Sequence, residues 1–298
     1  MIEFAKVSGA SGATPSLGPG ALVERHGRDG RPKIYPASEY GKDKPKGEYY
    51  TRTTTFIDAL EDKTNLVRWK QRNVLVGALR RPDILEELGS IEDPQGADKG
   101  AVDKLVGIAE EAADADLRAL KGSAIHLITE DLDHGKGMPF VPDEFRRDIE
   151  AYLEAMKQAE AEILGIEQFC VLDQYKVAGT FDRLVRYKGK LMIADIKTGR
   201  IDYGLGKIAM QLAAYRHMEV YDPVTYQRSP LLIDGEEPDA DEALIIHLPS
   251  GEGKCDIVPV DIRKGWEGLA VCSEVREWRR HWNRKASRRE PVVSVTVA

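Results

Sequence analysis

Two runs with strand character, 177–187 and 190–197, flank Lys188-Gly189. The first is rich in β-branched and aromatic residues and the second in aliphatic ones, which predicts a hairpin with a two-residue turn. Such a turn fixes register. Tyr187 then pairs with Lys190, and counting back along both strands sets Asp182 opposite Asp195. Side chains alternate along a strand, so Asp195 and Lys197 share a face with Leu191 and Ile193, and that face is half buried. Unpaired charges are costly there, and two carboxylates facing each other across a ladder repel. A divalent cation between them resolves both problems, and oxygen ligands suit Mg²⁺ or Mn²⁺. Lys197 would then hold or deprotonate a water on that cation. The plain alternative is a charged surface hairpin, since Asp-x-Lys is common by chance.

Two helical segments carry further polar groups at regular spacing. Over 206–220, Lys207, Gln211 and Tyr215 recur at four-residue steps and share a face. Over 115–132, Leu117, Leu120, Ala124 and Ile128 form an apolar stripe, with His126 and Glu130 together on nearly the opposite side. Taken alone, both polar faces read as solvated surface.

Together these segments resemble the PD-(D/E)XK nuclease superfamily, within it the RecB-like and Cas4-like exonuclease branch. The resemblance rests on Gly122-Ser123-Ala124-Ile125-His126, Gly179-Thr180-Phe181-Asp182, Ala194-Asp195-Ile196-Lys197-Thr198-Gly199 and Gln211-Leu212-Ala213-Ala214-Tyr215, in that order, over roughly residues 120–260. Phe181 stands where the superfamily name has Pro. The resemblance implies that His126, Asp182, Asp195 and the backbone carbonyl of Ile196 hold Mg²⁺ or Mn²⁺. It makes Lys197 the catalytic amine and sets Gln211 and Tyr215 beside the metal site, where they position the strand or Lys197. The implied activity is metal-dependent hydrolysis of DNA, most naturally by an exonuclease in recombination, repair or phage DNA processing. The rivals are a structure-selective or site-specific endonuclease on the same core and a catalytically silent DNA-binding protein. An RNA-directed nuclease is a third reading, without a recognisable 2′-OH reader or RNA module in the chain. The branch also allows a recombination partner protein, such as a single-strand annealing protein, which no residue here specifies.

Composition narrows the setting. The 3 cysteines, Cys170, Cys255 and Cys272, are far apart and form no CxxC. That argues against a zinc ribbon or disulfide framework and for reduced thiols in the cytoplasm. Cas4-like members hold an iron–sulfur cluster on four cysteines, which this chain cannot supply, so no cluster is expected. No apolar run approaches a membrane span, and MIEFAKVSGASG lacks a basic segment followed by an apolar core. A net charge of −7 does not advertise a nucleic-acid binder, but basic residues are segregated. Residues 65–81 carry 5 basic and no acidic side chains, and residues 263–289 carry 9 basic and 3 acidic ones. Either segment is a solvated helix face or a phosphate track; Arg68, Lys70, Arg72, Arg279 and Arg280 are the candidates for DNA contact, with Lys207 a weaker one.

In chain order, 1–50 reads as irregular, with a short strand near Lys33-Ile34-Tyr35, and 51–115 as a helical, partly basic region. There Thr54 or Thr55 caps a helix through Leu60 with Asp58 in its first turn, and Asn65 caps the helix 66–81 that Pro82 ends. Trp69 packs in the core or stacks on a base. Residues 83–100 read as acidic and turn-rich. The nuclease core spans 116–262: a helix from Pro142 to about Leu164 ended by Gly165, a strand from Glu167 to Tyr175 with Glu167 structural, the hairpin, the helix 206–220, a loop over 221–241, and strands 243–248 and 255–260. The remaining 263–298 hold a basic helix packed through Trp266, Leu269, Val275, Trp278 and Trp282, then a tail that forms a strand or none. The order gives an α/β fold, a mixed sheet flanked by helices with the restriction-endonuclease-like αβββαβ core, plus an N-terminal helical region.

Overall fold

A computed structural model describes residues 23–26 and 30–283, Arg118 in its backbone only. The tail from residue 284 lies outside the described residues. Much of the segment read as irregular, 1–22 and 27–29, also lies outside the described residues; the first described elements are β1 (Arg25–His26), β2 (Arg31–Ile34) and β3 (Glu48–Tyr49), which form a small antiparallel sheet. Then come β4 (Thr51–Arg52) and α1 (Thr53–Ile57). The helices α2 (Thr64–Arg80), α3 (Asp83–Gly89) and α4 (Lys99–Ala112) pack on one another around Ile84, Leu105 and Ala109. Next are α5 (Leu117–Asp133) and α6 (Arg146–Gln158), then the long strands β5 (Glu162–Leu172), β6 (Val177–Tyr187) and β7 (Lys190–Lys197). The chain closes with α7 (Leu205–Arg216), β8 (Glu219–Tyr221), β9 (Arg228–Pro230), β10 (Glu242–His247), β11 (Asp256–Asp261) and α8 (Arg263–Asn283).

The main sheet runs β11-β10-β7-β6-β5-β8-β9, with β4 also on β6. It is mixed: β10 lies parallel to β7 and β4 parallel to β6, and the other pairs are antiparallel. Alternation along β7 divides its side chains between two cores. Leu191 and Ile193 join α1, α7 and α8 on one face, and Met192, Ala194 and Ile196 join α5 and α6 on the other. The result is a three-layer α/β fold with an open mixed sheet. No described helix is long and apolar enough to cross a membrane.

Two polar ties fix the helices of the second face. Arg183 on β6 is fully buried; its Nε donates to Asp133 on α5 at 2.6 Å, and Tyr152 on α6 donates to the same carboxylate at 2.7 Å. Asp148, also buried, accepts from the amides of Gly251 and Gly253 at 2.7 and 2.8 Å, pinning α6 to the turn before β11. On the first face α8 crosses α7 closely. A Cβ at Gly265 would lie 2.3 Å from the carbonyl oxygen of Ala209, so only glycine fits.

Several local expectations need correction. Helix α6 ends at Gln158, and Gly165 belongs to β5, where the register against β6 shifts between Ile163 and Gly165. The strand thus starts and ends earlier than its composition suggests. Residues 83–89 are helical rather than turn, α7 stops at Arg216, and 228–230 form a short strand. Asn65 lies inside α2; the Asp62 carboxylate takes the amide of Thr64 instead. Helix α1 begins at Thr53, and Asp58 is its C-terminal cap, not a first-turn acid. The apolar stripe of α5 holds only in its second half, where Ala124 and Ile128 pack on the core. Leu120 is 65% exposed and Leu117 is exposed too, while Ile125, Ile128 and Thr129 face the sheet. On α8, Leu269 and Cys272 are buried, but Trp278 and Trp282 stand exposed. Trp69 is half-buried.

Candidate active site

The turn at Lys188-Gly189 closes as its two-residue length requires, with both residues at positive φ. Tyr187 pairs with Lys190, and the ladder continues to Arg183 opposite Ala194. It stops one step short of Asp182 and Asp195. There the Asp182 Oδ2 accepts the amide of Ile196 at 2.9 Å, replacing a strand-to-strand bond. The carbonyl of Lys197 accepts from Leu248 at 2.9 Å and so faces β10. Backbone groups alternate along a strand, which turns the Ile196 carbonyl, like its amide, toward Asp182.

Asp195 is buried beneath α7. Its Oδ1 accepts from Gln211 Nε2 at 3.0 Å, and its Oδ2 lies against the Lys197 ammonium but receives no well-directed hydrogen bond. Gln211 bridges the pair, since its Oε1 accepts from Lys197 Nζ at 3.2 Å. Tyr215, one turn further, meets Gln211 Nε2 at 3.4 Å. Gly179 leaves room for Tyr215: a Cβ there would lie 2.9 Å from its ring and 2.5 Å from Thr53 Oγ1.

His126 enters from the opposite layer. Its Nδ1 is 3.6 Å from Asp182 Oδ2. A Cβ on Gly122, one turn earlier, would lie 2.6 Å from Thr198 Oγ1, so glycine lets α5 approach the end of β7. The expectation that the His126 side of α5 opposes its packed face therefore fails: His126 is half-buried and turned to the acids. Glu130, a turn on, approaches His134 at 3.7 Å.

Glu167 is the residue that sequence reasoning missed. On β5, Ile166 pairs with Arg183 and Gln168 with Phe181, which sets Glu167 beside Asp182. Its backbone is left-handed, with φ of 48°, and Arg183 Nη1 lies 3.7 Å from its carboxylate. Glu167, Asp182 and Asp195 thus come from three neighbouring strands. Once β5 is known to end at Leu172, with 173–176 as a four-residue turn, counting gives this register.

The electrostatics follow from crowding acids away from water. Burial and the Asp182 charge push Asp195 up to about 7, and the same two causes push Glu167 up to about 7. Burial also raises Asp182, against the pull of Lys197. Burial lowers His126, favouring the neutral imidazole that binds metals. Among the described residues, no three His, Cys, Asp or Glu side chains are drawn close enough to enclose an ion. The donor chemistry nevertheless fits a hard divalent cation: crowded carboxylates, a neutral imidazole beside one of them, and an inward carbonyl.

The proposed DNA contacts are not brought to this cluster. Lys207 is ion-paired to Asp58 at 2.7 Å and Glu61 at 2.8 Å, so it is not free for phosphate. Arg68, Lys70 and Arg72 are exposed on α2, and Arg279 and Arg280 on α8. Compared with models of protein families and with curated proteins, the chain matches none.

Proposed function

We propose that the protein is a metal-dependent nuclease that hydrolyses DNA phosphodiesters, acting from chain ends. The observation that carries this is the meeting of Asp182 and Asp195, from neighbouring strands, with Lys197 and an inward-facing His126 at one buried point. The order of helix, three strands, helix and parallel strand around that point is the layout expected of the PD-(D/E)XK superfamily.

Asp182, Asp195, His126 and the Ile196 carbonyl would hold Mg²⁺ or Mn²⁺. When bound, the ion polarises the phosphate and lowers the pKa of water. Lys197, fixed by Gln211, orients the attacking water and offsets charge that builds on the phosphate oxygens. Gln211 holds amine and acid at a set separation, and Tyr215 braces Gln211. Glu167, poised at about 7, can hold or release a proton at neutral pH beside Asp182. The test is degradation of linear and of closed circular DNA with Mg²⁺ or Mn²⁺, repeated with Asp195→Ala and Lys197→Ala. Loss of about 10²–10³-fold in each variant is expected, with linear DNA preferred. Unchanged activity in either variant rejects the assignment, and equal attack on circles makes the enzyme an endonuclease.

A further inference from the structure

Away from the acids, a cleft of about 600 Å³ opens where the end of α8 meets β3, β4 and the turn between β5 and β6. Arg31, Arg52, Lys176, Arg276 and Arg280 line it, against a single acid, Glu277. Lys176 is ion-paired to Glu48, but among the described residues Arg31, Arg52, Arg276 and Arg280 have no carboxylate within ion-pair distance. Arg276 is held in place by neutral groups: it donates to the Thr55 carbonyl at 3.2 Å and to Thr51 Oγ1 at 3.4 Å, and lies 5.4 Å over the Phe56 ring. Burial, and then the charges of Arg280, Arg31 and Arg279, hold its pKa below the usual guanidinium value. Four guanidinium groups gathered around one carboxylate leave an excess of positive charge that favours an anion. Tyr49, 40% exposed, adds a ring to the wall, with the Arg31 guanidinium 5.9 Å from its centre.

At Arg52 the cleft borders a second cavity that reaches Tyr215, behind which the acids lie. Arg52 also lines a second cavity of about 160 Å³, with Gly179, Thr180 and Tyr215 on its wall. Tyr215 joins Gln211, and Gln211 joins Asp195. We infer that this cleft is the track for a single strand of nucleic acid, with Arg31, Arg52, Arg276 and Arg280 on its phosphates and Tyr49 under a base. The inference rests on the nuclease reading for its direction, from α8 past Arg52 toward Asp195. A basic groove with an aromatic platform suits single strands, because every base presents a stackable face.

The experiment is fluorescence anisotropy of labelled oligothymidylate in EDTA across a NaCl series. Arg31→Gln with Arg280→Gln removes two exposed charges and touches no core residue. Arg68→Gln with Arg72→Gln removes the same charge from α2. Two lost phosphate contacts are expected to flatten the slope of log K against log salt by about 1.4 in the cleft variant. The α2 variant is expected to keep the wild-type slope. A wild-type slope in the cleft variant, an equal fall in both variants, or binding of blunt duplex alone overturns the cleft. The readout needs neither metal nor cleavage. A flattened slope therefore supports the track even for a protein that never cuts, a result that would count against the nuclease reading alone.

Discussion

At the scale of single residues, the site is a set of acids held where they resist ionising. Asp195 and Glu167 are both raised to about 7 in the fold, whereas in the unfolded chain they titrate near 4. The fold therefore binds more protons than the unfolded chain between these values. Their contribution to stability is fully present below about pH 4 and is lost as pH rises through about 7. Adding Mn²⁺ should offset that loss, so the melting temperature is expected to rise more with Mn²⁺ at about pH 8 than at about pH 5.5. Scanning fluorimetry at both pH values checks this, and an equal shift at both would remove the acids from the binding site. Gln211 contacts both Lys197 and Asp195, so Gln211→Leu is expected to cost about 10–100-fold in activity or metal affinity, the range for partners that orient ligands. Titration of Mn²⁺ into the variant and a rate measurement would show which. The hairpin register was legible as far as Arg183 and Ala194, one step short of the two acids, because a two-residue turn leaves no freedom in register. Glu167 was not, because its register depends on where β5 ends, and Asp173 to Lys176 carry no strong turn signal.

Elements hold these residues through a few contacts that composition does not display. The helix α5, which carries His126, is tied to β6 by Arg183 and Asp133 and seated by Gly122 against Thr198. Removing one partner of a buried ion pair leaves the other uncompensated, so Arg183→Met is expected to cost about 3–5 kcal/mol. Urea unfolding measures it, and a cost below about 1 kcal/mol would show that the pair does not set α5. The apolar stripe misled only at its start. Burial of α5 follows Ile125, Ile128 and Thr129, and Leu117 and Leu120 stay exposed. Likewise α7 and α8 meet at Gly265, where a methyl group would strike backbone. Gly265→Ala is expected to destabilise by about 1–3 kcal/mol, the usual range for overpacking, and to lower activity by displacing Gln211. Unfolding and rate measurements on one preparation test both effects.

For the whole molecule, the layers divide the work. The sheet aligns the acids, the α7 layer supplies Gln211 and Tyr215, and the α5 layer supplies His126. The α/β class and the order of the longer core elements were readable from periodicity, while α3, β8 and β9 were not. The packing of α2, α3 and α4 into their own cluster was not, since α2 shows little apolar asymmetry and leaves Leu75 and Leu79 exposed. Net charge was equally uninformative, because a chain of −7 still gathers Arg31, Arg52, Arg276 and Arg280 in one cleft. The most direct measurement of the central claim is calorimetric titration of Mn²⁺ into the protein near neutral pH, repeated with Asp182→Asn/Asp195→Asn. Binding by the wild type with proton release, abolished in the double variant, is the expected result. Binding of equal strength in both proteins, or none in the wild type, would contradict the claim that these two carboxylates hold the cation that cleaves DNA.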